Sequence, residues 1–299
     1  MRSLFFVFAL CAAFVGTTVE GWAGAFGSSI LNVSNLRLQY KSGVVDGVDV
    51  WENATNSQAS VSSTFNSQSS ATLGALSDAS GFTFGNNARQ SFVSPTMTAP
   101  LEQTMLPLTG LGPSGLNSFA RGDTLGSGST IVSGGTVSMS TLAELNTLDP
   151  VSGLAIGNLS NTNTFLVSVT QGGEYRLAFT ATLAMQTSGD GFASNSISID
   201  GQQSQSGGGN VFLPPSDFSS LNRSINGTST VSESGNFFSA AMTLQGGRIA
   251  TFTVSQNSEA GANNVVPEPS SIAIFGLMSV GSLAAWRRRR AGERKSAEA

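Results

Sequence analysis

Three carboxylates fall close together early in the chain, Asp46, Asp49 and Glu52. Carboxyl groups held about 5–10 Å apart can run glycoside hydrolysis, one as acid and one as base or nucleophile. Their setting argues otherwise. Gly43-Val44-Val45-Asp46-Gly47 and Gly47-Val48-Asp49 are turn sequences, in which an aspartate bonds its own backbone. A carboxylate-type glycoside hydrolase is therefore the most distant of the functions considered. Calcium needs several oxygen ligands, and Asp46, Asp49, Asp190 and Asp200 could supply some of them. No stretch follows the Asp-x-Asp-x-Asp-Gly loop, and Asp190-Gly191 and Asp200-Gly201 are ordinary turn pairs. No cofactor is expected, with a structural calcium ion the one exception left open. The chain contains no histidine, which removes Ser-His-Asp and Cys-His catalysis and every imidazole metal site. The expectation is a protein that is not an enzyme.

Sugar recognition uses flat aromatic rings beside polar groups. Trp51 is the only tryptophan between the two chain ends, and Tyr40 is near it in sequence. The two are candidate glycan contacts if they lie exposed in one groove. Burial of both in a core is the competing reading, since aromatic rings dominate core packing.

The ends of the chain carry a different chemistry, that of processing. Near the C-terminus come Val266-Pro267-Glu268-Pro269-Ser270-Ser271, then an uncharged apolar run from Ile272 to Ala285, then Trp286 and Arg287, Arg288, Arg289 and Arg290. As a helix, Ser270 to Trp286 would span roughly 26 Å, a little under a hydrocarbon core of about 30 Å. Trp286 suits the membrane interface and the arginines favour the cytoplasmic side. Pro267, Glu268 and Pro269 would then face outward, and the prolines hold the chain extended for a processing enzyme. A plain membrane anchor is the simpler alternative. At the other end, Arg2 precedes an apolar stretch from Leu4 to Val15, and Ala23-Gly24-Ala25 offers small residues where a signal peptidase reads. This is a secretory signal peptide with cleavage expected after Ala25.

The C-terminal combination of Pro-Glu-Pro, apolar helix and arginine cluster resembles a PEP-CTERM sorting signal, the bacterial tail handled by exosortase. The resemblance implies a Gram-negative envelope protein. It would sit transiently in the inner membrane, be cut near Pro267–Pro269, and pass to the cell surface or extracellular matrix. Its partners would be signal peptidase and exosortase, with exopolysaccharide a further partner, since such proteins accompany exopolysaccharide and biofilm formation. The organisation that follows is a signal peptide at 1–25, a body at 26–264 and a sorting signal at 265–299.

The body holds seven cationic and fourteen acidic side chains, a net charge of −7. That balance argues against nucleic acid, which needs basic contacts to displace counterions, and against anionic polymers as tight partners. Cys11, the one cysteine, lies in the signal segment, so the body folds without disulfides. Fourteen of the chain's nineteen phenylalanines lie in the body, which gives it a core and argues against disorder.

Period-two alternation is the main local signal. Phe165, Val167 and Val169 share a face, as do Tyr175, Leu177, Phe179, Ala181 and Leu183 after Gly172-Gly173. Phe238, Ala240, Met242 and Leu244 alternate before Gly246-Gly247, and Ala250, Phe252 and Val254 after it. Both arrangements read as hairpins. Ile197 and Ile199 lead to Asp200-Gly201. Further strands are expected near 36–40, 59–65, 81–84, 91–93 and 130–139, with loops at 125–135 and 202–210. Thr141 to Leu148 reads as a short helix stopped by Asp149-Pro150. The fold class is all-β: a single β-sandwich of jelly-roll type, flanked by the signal-peptide helix and a C-terminal transmembrane helix. Phe165 to Gly201 loosely resembles the closing half of galactose-binding-like sandwiches.

Overall fold

The computed structural model describes residues 24–79, 83–84, 88–98, 117–135, 137–147, 153–157 and 163–262. The signal segment before Gly24, Asp149-Pro150 and the whole sorting signal lie outside the described residues. The described chain is all β. In order the strands are β1 (Ala25–Val45), β2 (Val48–Asn53), β3 (Ala59–Thr64), β4 (Asn66–Ser67), β5 (Ser69–Leu73), β6 (Leu76–Ala79), β7 (Thr83–Phe84), β8 (Ala88–Val93), β9 (Phe119–Ser127) and β10 (Val137–Thr147). They continue with β11 (Gly153–Gly157), β12 (Asn163–Val169), β13 (Gly173–Ser188), β14 (Gly191–Ser204), β15 (Asn210–Phe212), β16 (Arg223–Asn226), β17 (Ser229–Phe238), β18 (Met242–Leu244) and β19 (Ile249–Ala262).

Two antiparallel sheets take nearly all of these strands. The first runs β17-β13-β1-β10-β9-β8, with β2 added beside β1 and β18 beside β13. The second runs β15-β14-β19-β11-β5-β6, with β12, β3 and β16 added to it. This pairing establishes a two-sheet, all-β architecture; it does not by itself make a jelly roll. Inward residues of the two sheets meet in one core. Leu31, Val33, Leu36 and Leu38 of β1 and Leu177 and Leu183 of β13 join Phe165, Val167, Phe252 and Val254 of the second sheet, all essentially inaccessible to solvent. Each such side chain contributes about 1.5–3 kcal/mol on burial, so packing can hold the sheets without a disulfide. Aromatic contacts add to it: Phe65 meets Phe165 edge-on at 6.2 Å, and Phe179 stacks on Phe237 at 5.6 Å.

The alternating segments form strands, but neither expected hairpin forms. β12 pairs with β19 and β3 in the second sheet, whereas β13 pairs with β1 in the first. β18 pairs with β13 in the first sheet, whereas β19 lies in the second. The Gly-Gly turns therefore carry the chain from one sheet to the other. They also touch. Gly247 N–H donates to the Val169 carbonyl at 2.8 Å. A Cβ on Gly246 would lie 2.7 Å from the Thr170 carbonyl oxygen, too close to fit.

Further expectations change. Thr141 to Thr147 belongs to β10 rather than to a helix. Every residue from Thr141 to Thr147 is buried, so the segment shows no alternation, and cross-strand pairing overrides its helical composition. Residues 130–135 form bends and turns, with β10 starting at Val137, and β9 and β14 run into both expected loops, to Ser127 and Ser204. Phe238 ends β17 facing outward; its neighbour Phe237 packs on the core instead.

At the β8–β9–β10 end the core is made of small residues, Ala25, Ala71, Ala120, Ala143, Ala260 and Ala262 with Leu73, Val93 and Leu145. Polar side chains fill this region too. Arg121 and Asp123 form a fully buried ion pair on the outward face of β9, in which Arg121 Nε donates to Asp123 Oδ2 at 2.7 Å. Glu144 stands opposite Arg121 in register. Burial pushes the Asp123 carboxyl upward, against the pull of Arg121 and Gln90. A carboxyl raised in the folded state favours folding below its unfolded titration and loses that contribution as pH rises through its folded one.

Removing one partner of a buried ion pair costs up to about 3–5 kcal/mol, softened here by the further contacts that Arg121 makes. Asp123→Ala is expected to destabilise the protein by that order in urea unfolding. Arg121→Met combined with Asp123→Leu should recover most of the loss. That double variant should also lose less stability than wild type as pH rises above about 4, the ordinary aspartate value. A single Asp123→Ala variant as stable as wild type would show that the pair does not stabilise the fold.

Candidate functional site

The first sheet presents one face to the core and one away from it. On the outward face, the β1–β2 ribbon brings together residues far apart in sequence. The ribbon closes through Val45-Asp46-Gly47-Val48, where Asp46 (φ 51°) and Gly47 (φ 79°) both take left-handed backbone. That is the two-residue turn whose twist matches paired strands. Asp46 is thus a turn residue, as its sequence setting suggests.

Register places the rest. Gln39 lies opposite both Asn53 of β2 and Arg176 of β13, and Lys41 lies opposite Trp51. Phe238 of β17 lies opposite Ala178, one outward position along from Arg176. The Arg176 guanidinium carbon is 4.3 Å from the Trp51 ring centroid and 4.1 Å from that of Phe238. The cation is therefore held between two aromatic rings. Arg176 Nε donates to Gln39 Oε1 at 3.0 Å, and Gln39 Nε2 donates to Asn53 Oδ1 at 3.2 Å. Burial lowers the Arg176 pKa from its ordinary value, with Asp49 opposing the shift. Lys41 bridges Asp49 and Glu174 at 2.8 Å each, and these bonds raise its pKa. The result is a band of amide, guanidinium and aromatic groups with Phe238 45% exposed.

The structure separates the two sequence-derived glycan candidates. Trp51 lies in this band. Tyr40, one residue before Lys41, points to the other face, where it packs against the core and donates to Glu52 Oε2 at 2.8 Å. That bond lowers the Glu52 pKa. Arg176, Gln39 and Asn53 were not assigned to a site by sequence, and Phe238 was grouped with the alternating apolar residues Met242 and Leu244.

The carboxylates do not converge. Asp49 is bound to Lys41 and Glu52 to Tyr40. Asp190 sits at the turn before β14, but Asp200-Gly201 lies inside β14, paired with Thr253 and Phe252, and is not the turn its sequence suggests; the two aspartates are about 33 Å apart at strand rise. Among the described residues no three acidic or cysteine side chains cluster as metal ligands. Ala25 opens β1, fully buried, with its N–H donating to Thr147 Oγ1 at 3.2 Å. Ala23, Pro267, Glu268, Pro269, Trp286 and Arg287–Arg290 lie outside the described residues.

Comparison with known families places the PEP-CTERM protein-sorting motif at residues 265–290. The motif marks an exported protein, processed by exosortase, that passes the membrane and ends at the cell surface or outside. No curated protein and no solved structure matches the chain.

A cation between two rings is worth about 0.5–2 kcal/mol, depending on its desolvation. Arg176→Gln is expected to lower stability by about that amount and to shift Trp51 emission to longer wavelength. Unchanged emission and stability would mean that the rings do not hold the guanidinium.

Proposed function

We propose that this is a non-catalytic surface or matrix protein of a Gram-negative envelope, associated with exopolysaccharide in biofilm. In this reading the chain is held briefly in the inner membrane before release. The sorting motif at 265–290 carries it. The order of its parts supports the orientation: an outward Pro267-Glu268-Pro269 handle, an apolar plug, and Arg287–Arg290 inside. The lack of histidine and the engagement of Asp49 and Glu52 by neighbours support a role without catalysis.

One observation favours a second reading, a carbohydrate-binding module for that exopolysaccharide. Trp51 and Phe238 flank a guanidinium on an open face, with Gln39 and Asn53 beside it. Rings with adjacent amides suit the apolar face and hydroxyls of a sugar.

Two experiments test these readings. Glu268→Gln, or replacement of Arg287–Arg290 by glutamine, should leave a longer, membrane-retained chain on immunoblots of cell fractions. Wild-type size and release in both variants would remove the sorting account. For the second reading, the chain should co-sediment with the producing cell's purified exopolysaccharide, and Trp51→Ala should abolish this. Equal sedimentation of the variant would show that the band does not bind the polymer.

A further inference from the structure

A cleft of about 170 Å³ opens beside this band, lined by Asn35, Arg37, Asn53 and residues 131–135. Its floor comes from a β-bulge. β1 shifts register between Val33 and Leu36 against β10, and between Ser34 and Arg37 against β13. Asn35, the extra residue, takes left-handed backbone (φ 54°). On the facing wall Ser133 does the same (φ 46°), followed by Gly134 (φ 73°). Non-glycine residues rarely adopt this conformation, and where they do it often marks a functional site. Three such residues occur among the described ones; Asp46 serves a hairpin turn and the other two line this cleft.

Arg37 supplies the chemistry. Its Nε is buried and has no hydrogen-bond partner. Among the described residues no carboxylate lies within ion-pair distance of it. A guanidinium offers five donors in a planar fork that matches an oxyanion, and a buried donor without a partner is costly. Asp49 and Glu174 lie further along the ribbon, where Lys41 engages both. The rest of the cleft narrows the choice of anion. Inorganic phosphate near neutral pH offers at most two hydroxyl donors, on the same centre as its charge. Asn35 and Asn53 bring acceptor oxygens as well as donor amides, and Asn53 is already oriented by Gln39. Such a set suits a ligand with hydroxyl groups around one charge. The volume is below the roughly 300–1,000 Å³ of clefts that enclose drug-sized ligands, so it takes one small residue.

We propose that this cleft binds a sugar acid, its carboxylate on Arg37 and its hydroxyls on Asn35 and Asn53. Continuity through Asn53 and Gln39 to the Trp51–Arg176–Phe238 band lets the next residues of an acidic saccharide follow the same face. The assignment deepens the carbohydrate-binding reading, which it takes as its setting, but the cleft chemistry is tested apart from it.

Equilibrium dialysis of the purified full chain would use glucuronate, glucose and inorganic phosphate as probes. Glucuronate should bind saturably and the other two should not compete. Arg37→Gln should weaken glucuronate binding about tenfold or more, the scale of a charged hydrogen bond. Asn35→Gly keeps the left-handed backbone and removes the side chain with its amide; it should weaken binding severalfold without lowering the unfolding midpoint. No glucuronate binding, or binding untouched by either variant, overturns the proposal. Phosphate competing as well as glucuronate overturns the sugar-acid assignment. A chain that binds glucuronate through Arg37 but not the sedimented exopolysaccharide supports the cleft and removes the polymer reading.

Discussion

The bulge in β1 governs which residues this protein shows to the outside. Before it, the odd-numbered Leu31 and Val33 face the core; after it, the even-numbered Leu36 and Leu38 do. One extra residue reverses the faces of a strand. Without it Arg37, Gln39 and Lys41 would point into a hydrocarbon core, where an unpaired cation costs several kcal/mol or more. With it, the same three side chains form the outward band, and Leu36, Leu38 and Tyr40 complete the inner packing. Core and surface of this region are thus two consequences of a single backbone irregularity at Asn35.

Such a strand needs its other end fixed, and a buried polar seam does this. Thr141 Oγ1 and Ser258 Oγ meet at 2.7 Å across the sheets, and Asn195 Nδ2 donates to Ser29 Oγ at 2.9 Å and Ser258 Oγ at 3.1 Å. Gln256 Nε2 reaches the Leu31 carbonyl at 3.3 Å. Each bond nets only about 1 kcal/mol, so the seam adds little gross stability. Its effect is on choice. A slip of one residue would leave these groups unsatisfied in the interior, so a single register survives at Ser29, and β1 carries that register to the bulge.

How much of this was legible in sequence follows from what alternation encodes. It reports the buried face of a strand, and so Val167, Leu177, Phe252 and Val254 were identified as core. It does not report the partner, because a strand with one buried face looks alike in a hairpin or in a crossover between sheets. That is why Gly172-Gly173 and Gly246-Gly247 read as hairpin turns. Where both faces are buried, as from Phe119 to Thr124 and from Thr141 to Thr147, alternation vanishes and Thr141–Thr147 looked helical. Trp51 was visible through its rarity. Tyr40 was paired with it by proximity, but neighbouring strand positions face opposite ways. Arg176 and Phe238 reach Trp51 only through β13 and β17, a long-range pairing with no local trace.

Charge shows the same split between global and local. A net charge of −7 on the body opposes an anionic polymer at a distance, but exposed charges are screened beyond about 8–10 Å at physiological salt. Within that range arrangement decides. Three of the seven body cations, Arg37, Lys41 and Arg176, share one outward face. Lys41 is spent on two carboxylates, and of these Asp49 still acts on Arg176 at a distance. Arg176 is held between rings with its Nε on Gln39; Arg37 lines a cleft with its Nε unmet. An acidic protein can in this way remain repulsive to anions in bulk and still receive one charged residue at a defined place, which makes binding depend on shape and hydroxyl pattern more than on charge density.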